Sequence, residues 1–106
     1  DITAAEGLEG TVVTVNDGDI YIAASDDGIN AAQKSDEYSP LVEINGGNIT
    51  IDMGAGDTDG IDSNGDITIN GGTVSISGMS AVDYDGTAQL NGGTLIVNGE
   101  ETDTIP

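Results

Sequence analysis

The stretch GDITINGGTVSIS, Gly65–Ser77, decides the fold. It holds two short runs of alternating aliphatics, Ile67 with Ile69 and Val74 with Ile76, joined by Asn-Gly-Gly. Alternation with a period of two is the pattern of a strand with one buried face. The phrase returns as EINGGNITID (Glu43–Asp52) and AQLNGGTLIVN (Ala88–Asn98), and in weaker form as VNDGDIYIA (Val15–Ala23). A second phrase, Asp-Gly-Ile-Asp at 59–62, precedes it; EGLE (Glu6–Glu9), DGIN (Asp27–Asn30) and AVDYDG (Ala81–Gly86) are its relatives.

The register of these copies identifies a repeat. Leu8 and Ile29 are 21 residues apart, as are Ile61 and Val82, while Ile29 and Ile61 are further apart. We assign the excess to QKSDEYSP (Gln33–Pro40), an inserted loop at about residues 33–41. Three short strands per repeat, separated by sharp turns, predict an all-β fold: a parallel β-helix of about four to five coils forming one domain over residues 1–106. Coils stack at about 4.8 Å, so aliphatics form columns. Leu8, Ile29, Ile61 and Val82 are expected in one; Ile20, Ile49, Val74 and Leu95 in another; Val13, Val42, Ile67 and Ala88 in a third. Asn16, Asn45, Asn70 and Asn91 should stack as a ladder at a turn where glycine supplies positive φ. Asn-Gly-Gly is also a hairpin signal, but superimposable coils explain the identical spacings better than alternating hairpins do. Neither end shows an obvious cap. The expectation is a piece of a longer solenoid, or a unit that stacks end to end.

The charge balance narrows the function. Twenty acids face one cation, for a net charge of −19 in 106 residues. Such a chain lacks the Lys and Arg that phosphate binding needs, which excludes nucleic acid and anionic membranes as partners. No apolar run is long enough to span a bilayer. The sequence has no Cys and no His, which removes disulfides and zinc, copper or haem ligation.

The carboxylates follow the repeat. Coil stacking places Glu6, Asp27 and Asp59 in one column and Glu9, Asn30, Asp62 and Asp83 in the next. Asn64 and Asp85 lie close by, and Asp26 and Asp57 flank the first column. Unit charges at the coil spacing repel by several kcal/mol at an effective dielectric near 20. Lys34 alone cannot offset that, whereas a hard divalent cation can. Calcium accepts six to eight oxygens from carboxylates and amides in flexible geometry. A single Asp in a turn needs no metal, because Asp and Asn favour turns; the stacking is what points to calcium. GAGDTDGID (Gly54–Asp62) matches the calcium nonapeptide only weakly, and the EF-hand loop fails because its twelfth position is Thr68.

Together the blocks EGLEG…VNDGDIYIAASDDGINA, DGIDSNGDITINGGTVSISG and AVDYDGTAQLNGGTLIV resemble the bacterial carbohydrate-binding parallel β-helix family, which includes clostridial cellulose- and pectin-binding adhesins. The resemblance covers nearly the whole chain. It implies a right-handed coil, bound calcium (Ca2+), an extracellular or cell-surface location in bacteria, and polysaccharide binding without catalysis. Carried over by position, the metal candidates are Glu6, Glu9, Asp27, Asp59, Asp62, Asp83 and Asp85, to which the stacking argument adds Asp26, Asn30 and Asp57. Members of the family often carry His where this chain has Asn30.

Three functions compete. A polysaccharide-binding module needs aromatic platforms, and only Tyr21, Tyr38 and Tyr84 exist; Tyr38 and Lys34 in the inserted loop, with Tyr84, are the ligand candidates. An acidic pectin would be bridged through calcium. Catalysis is disfavoured, since pectate lyases and polygalacturonases on this fold use Arg, His or Lys. Asp26 and Asp27, adjacent in a strand, should point to opposite faces rather than act as an acid–base pair. The third function is structural: calcium-dependent end-to-end self-association into a fibre or surface layer.

Overall fold

The computed structural model describes residues 1–33, 36–54 and 59–106. Lys34 and Asp57, two of the candidates above, lie outside the described residues. Among those described there is no helix. Twelve strands follow in order: β1 (Ile2–Gly10), β2 (Val12–Val15), β3 (Asp19–Ala31), β4 (Leu41–Ile44), β5 (Asn48–Asp52), β6 (Asp59–Ser63), β7 (Asp66–Ile69), β8 (Thr73–Ser77), β9 (Ser80–Tyr84), β10 (Ala88–Leu90), β11 (Thr94–Val97) and β12 (Glu100–Thr102).

The chain winds as a solenoid with three legs. On the first leg, the start of β1, the start of β3, then β5, β8 and β11 pair side by side. On the second, the rest of β1, the rest of β3, β6 and β9 do the same. On the third, the order is β2, β4, β7, β10. The chain returns to the third leg three times after β2, which makes about three turns. Every one of these pairings is parallel, as it must be when a chain keeps returning to a leg in the same direction. Hairpins would have alternated.

All three aliphatic columns expected from the spacing occur as direct backbone partners. Leu8 pairs Ile29, Ile29 pairs Ile61, and Ile61 pairs Val82. Ile20, Ile49, Val74 and Leu95 follow one another on the first leg, and Val13, Val42, Ile67 and Ala88 on the third. The core is dominated by β-branched residues: Ile22, Ile29, Ile44, Ile51, Ile61, Ile67, Ile69 and Ile76 have no solvent exposure. Branching at Cβ suits an inward row, because each residue packs on its own equivalent one rung away.

The asparagine ladder also forms. Asn45 donates its Nδ2 to Asn16 Oδ1 at 2.9 Å, Asn70 to Asn45 at 2.8 Å, and Asn91 to Asn70 at 2.9 Å. Only the second glycine of each Asn-Gly-Gly has positive φ: 94° at Gly47, 83° at Gly72 and 81° at Gly93. The first is small because a Cβ there would sit 2.5–2.7 Å from an asparagine carbonyl of the rung before.

Two features depart from the expectation. The long spacing between Ile29 and Ile61 has two sources. Residues 32–40 separate β3 from β4, and residues 53–58 separate β5 from β6, where the next turn has only 78–79. The loop expected at 33–41 is therefore part of the excess. Second, one edge is covered. β12 folds back antiparallel on β11, with Leu95 opposite Thr102 and Val97 opposite Glu100. The reversal runs through Asn98 (φ 50°) and Gly99 (φ 85°), an Asn-Gly pair in the left-handed conformation that tight hairpins require. β12 occupies the edge of β11 that another parallel strand would use.

Candidate functional site

The second leg carries the carboxylates, and its geometry begins with a glycine. Gly7, Gly28 and Gly60 have no unusual φ. A Cβ at each would lie 2.6, 2.6 and 2.4 Å from the Cγ2 of Ile22, Ile51 and Ile76 on the first leg. The glycine removes a side chain where the isoleucine column needs room, and the leg turns sharply against the first. In the last turn the position is Ala81, and the residue continuing the Ile22–Ile51–Ile76 column is the smaller Val97. The acids on either side of the glycine are left on the outer edge of this corner.

Among the described residues, two groups of three carboxylates form there. Glu6, Asp26 and Asp27 place one oxygen each within 4.8 Å of one another, and so do Asp27, Asp59 and Asp62. Asp27 belongs to both and is 7% exposed. Asn30, equally buried, donates Nδ2 to Glu6 Oε1 at 3.1 Å. The Ser80 hydroxyl donates to Asp59 Oδ1, and the backbone N–H of Asp59 donates to the Asp27 carboxylate.

Asp26 and Asp27 do not point apart as simple strand alternation requires. The register shifts where Ala4 pairs Ala24 but Glu6 pairs Asp27, so two residues of β3 oppose one of β1. This bulge brings Asp26 round to the side of Asp27. A bulge of one residue is not visible in a period-two pattern.

The electrostatics are those of crowded like charges. Burial is the first cause that raises the Asp27 carboxyl from 3.8 to about 6, followed by the charges of Asp62 and Asp26; the Asp59 N–H works the other way. Asp62 is raised too, first by burial and then by Asp59, Asp83 and Asp85. Unit charges 4.8 Å apart repel by about 3–4 kcal/mol at an effective dielectric of 20. The donors are all oxygens, from carboxylates with one amide and one hydroxyl beside them. That set fits a hard cation such as calcium and offers nothing to a soft one.

The remaining candidates sit elsewhere. Asp83 is opposite Asp62 in the register and exposed, and Glu9 is opposite Asn30; both are at the rim, outside the two tight groups. Asp85 is exposed where the second leg turns to the third, its N–H donating to the Ser63 carbonyl at 3.1 Å. Tyr84 packs against the core. Tyr38 is 62% exposed in the loop before β4, and Gln33 donates to its carbonyl at 3.1 Å. Tyr21, not singled out as a ligand candidate from the sequence, stands on the outer face of the first leg, 42% exposed, with its hydroxyl donating to Asp52 Oδ2 at 3.4 Å. The signal that places it was available: Ile20 and Ile22 point inward, so Tyr21 points out.

A family model described as "Carbohydrate-binding domain-containing protein" matches residues 1–58. The chain belongs to this family. The matched part runs from β1 through β5 and takes in Glu6, Asp26 and Asp27, while Asp59 and Asp62 follow directly after it. No curated protein and no solved structure matches the chain. For a member of a carbohydrate-binding family, a binding module is a better reading than an enzyme. No helix among the described residues is long and apolar enough to cross a membrane.

Proposed function

We propose that this chain is a non-catalytic, calcium-stabilised polysaccharide-binding module of a secreted or cell-surface bacterial protein, adhering to plant-wall material of the cellulose or pectin type. Family membership supports the carbohydrate half of this reading. The calcium half rests on one observation: Asp27 is buried between two groups of carboxylates in a chain with one cationic side chain. Glu6, Asp26 and Asp27 would hold one ion, with Asn30 held beside them by Glu6. Asp27, Asp59 and Asp62 would hold a second, with Asp83 and Asp85 at its rim. Calcium supplies the positive charge that lets these carboxylates stay ionised side by side. Since the groups exist only in the stacked coils, binding adds to folding stability.

The solenoid of this proposal is right-handed, with four to five coils. Five parallel segments stack on the first leg, and crossovers between parallel strands of one sheet are overwhelmingly right-handed. End-to-end assembly has less support, because β12 covers the edge of β11 on the first leg.

Thermal melts in chelator and in millimolar calcium test the metal half, and pull-down on insoluble cellulose and on pectate tests the carbohydrate half. A melting temperature at least 10 °C higher with calcium, as expected for about 2 kcal/mol in a domain of this size, together with retention on polysaccharide, is the expected result. An identical melt in both conditions removes calcium from the proposal. Recovery from neither polymer removes the adhesion.

A further inference from the structure

On the first leg, outside the acidic edge, a surface has the elements a sugar site needs. Residues 19, 21 and 23 of β3, 48, 50 and 52 of β5, and 73, 75 and 77 of β8 alternate with the buried isoleucines and valine, so they form its outer face. Tyr21 is the aromatic on this face. Its backbone partner is Thr50, yet its hydroxyl reaches Asp52, which pairs Ala23 two residues further along. The ring therefore runs diagonally along the sheet instead of standing off it, and it is 42% exposed. Beside it, at the corner towards the second leg, lies a shallow depression of about 420 Å³. It is lined by Ala4, Ala23, Ala24 and Gly54 together with Thr3, Ser25 and Asp52, and Ala23 is the alanine whose methyl lies on the outer face.

We propose that Tyr21, Asp52 and this depression are the binding site for a flat, neutral, β-linked glycan chain. The proposal rests on the carbohydrate-binding reading and locates the ligand within it. A pyranose ring offers C–H groups on its faces and hydroxyls around its edge. Tyr21 stacks under one ring face, as aromatic side chains do at wet interfaces. The depression beside Ala23 receives the next sugar along the chain, and the hydroxyls of Thr3 and Ser25 meet its edge. Asp52 already accepts a hydrogen bond from Tyr21 and has lone pairs left for sugar hydroxyls. Bonds to an ionised acceptor are stronger than neutral ones.

Charge selects the neutral class. Asp19 and Asp52 are the carboxylates on the outer face of β5 and of the first-leg part of β3, and the molecule carries −19. A uronate would set its carboxylate against Asp52, whereas an uncharged hexose presents donors to it.

Titration calorimetry with cellohexaose and with hexagalacturonate, at fixed millimolar calcium, tests this on the wild-type chain, Tyr21→Ala, Asp52→Asn and a control on the third leg, Val12→Ala. The wild type is expected to bind cellohexaose in preference to hexagalacturonate. Tyr21→Ala should weaken cellohexaose about tenfold and Asp52→Asn several-fold, with melting temperatures unchanged because both side chains point outward. Val12→Ala should bind as the wild type does. If both site variants keep wild-type affinity for cellohexaose, the assignment is overturned and the carbohydrate-binding reading stands. Preference for hexagalacturonate overturns the neutral class. Binding of neither oligosaccharide, with no retention on either polymer, overturns the inference together with the reading beneath it.

Discussion

Replacing Asp27 with Asn should stabilise the calcium-free protein and abolish much of its response to calcium. The carboxyl of Asp27 is pushed from 3.8 up to about 6, burial being the largest cause and the charges of Asp62 and Asp26 next. A raised folded-state value means that the folded chain holds the proton more tightly than the unfolded one. Well below pH 4 both states are protonated and the group contributes nothing. As pH rises from about 4 to about 6, the unfolded chain ionises freely while the folded chain resists, and stability is lost. Two units correspond to about 3 kcal/mol at most; because Asp26 is exposed and its charge screened by water, about 1–3 kcal/mol is the realistic range. For a domain near 100 residues that is roughly 5–15 °C in melting temperature. An Asn amide keeps an oxygen for the Asp59 N–H while removing the charge. In chelator at pH 7.5, Asp27→Asn should therefore melt above the wild type, and the wild type should melt higher at pH 5 than at pH 7.5. In calcium the order inverts, because ionised carboxylates are what the cation needs. Scanning calorimetry of both proteins, at both pH values, with and without calcium, gives all the comparisons. An Asp27→Asn protein that melts at or below the wild type in chelator at pH 7.5 would refute the claim that charge crowding at this corner destabilises the apo fold.

Other substitutions test how the coils are held. Asn70→Ala removes the middle of the asparagine ladder, leaving Asn45 without its donor and Asn91 without its acceptor; a loss of about 1–2 kcal/mol in urea unfolding is expected, and no change would make the ladder incidental. Gly60→Ala sets a methyl 2.4 Å from Ile76 Cγ2 and 2.7 Å from the Ala81 carbonyl, a clash that should cost about 1–3 kcal/mol. Pairing that change with Ile76→Ala removes the Cγ2 that the new methyl meets, so the double variant should lose less than the sum of the two single changes. Additive destabilisation would show that the two residues do not share that space.

Period-two aliphatics and a constant spacing were enough to read the architecture, because in a stacked coil every rung repeats the same local chemistry. Leu8, Ile29, Ile61 and Val82 could be aligned by counting, and the ladder followed from the place of Asn before each glycine pair. Three things could not be counted. The bulge that carries Asp26 beside Asp27 depends on one residue more in β3 than in β1. The residues added between β5 and β6 were hidden by the larger insertion before β4, since both contribute to one spacing. The return of β12 onto β11 hangs on Asn98-Gly99, whose Asn-Gly is shared with the turns inside the coils. The acidic columns were legible as columns. Which oxygens converge was not, because Asp27, Asp59 and Asp62 meet only where Gly28 and Gly60 let the second leg close on Ile51 and Ile76.

The placement of charge around the solenoid follows from the same stacking and separates the two proposed sites. On the first leg the outward columns read Asp19, Asn48, Thr73, Thr94 and then Tyr21, Thr50, Ser75, Ile96, followed by Ala23, Asp52, Ser77. None stacks one acid on another, so repulsion there is small and a neutral ligand can approach. On the third leg, Thr14, Glu43, Thr68 and Gln89 likewise contain one acid. Among the described residues, only the second leg stacks acid on acid, Glu6 beside Asp27 and Asp62 beside Asp83. A chain that needed negative charge only for solubility could have spread it over all three legs at little cost. Under the calcium proposal, concentrating it on the leg whose glycines already draw the strands close would make stability depend on a cation, and would leave the aromatic face of the first leg free of that requirement. If the two sites act separately, chelation at a temperature well below the apo melt should leave cellohexaose affinity unchanged, while Tyr21→Ala should leave the calcium-induced rise in melting temperature unchanged. Loss of sugar binding on chelation with the fold still intact by circular dichroism would mean that the acidic edge takes part in holding the glycan, and the separation drawn from the columns would be wrong.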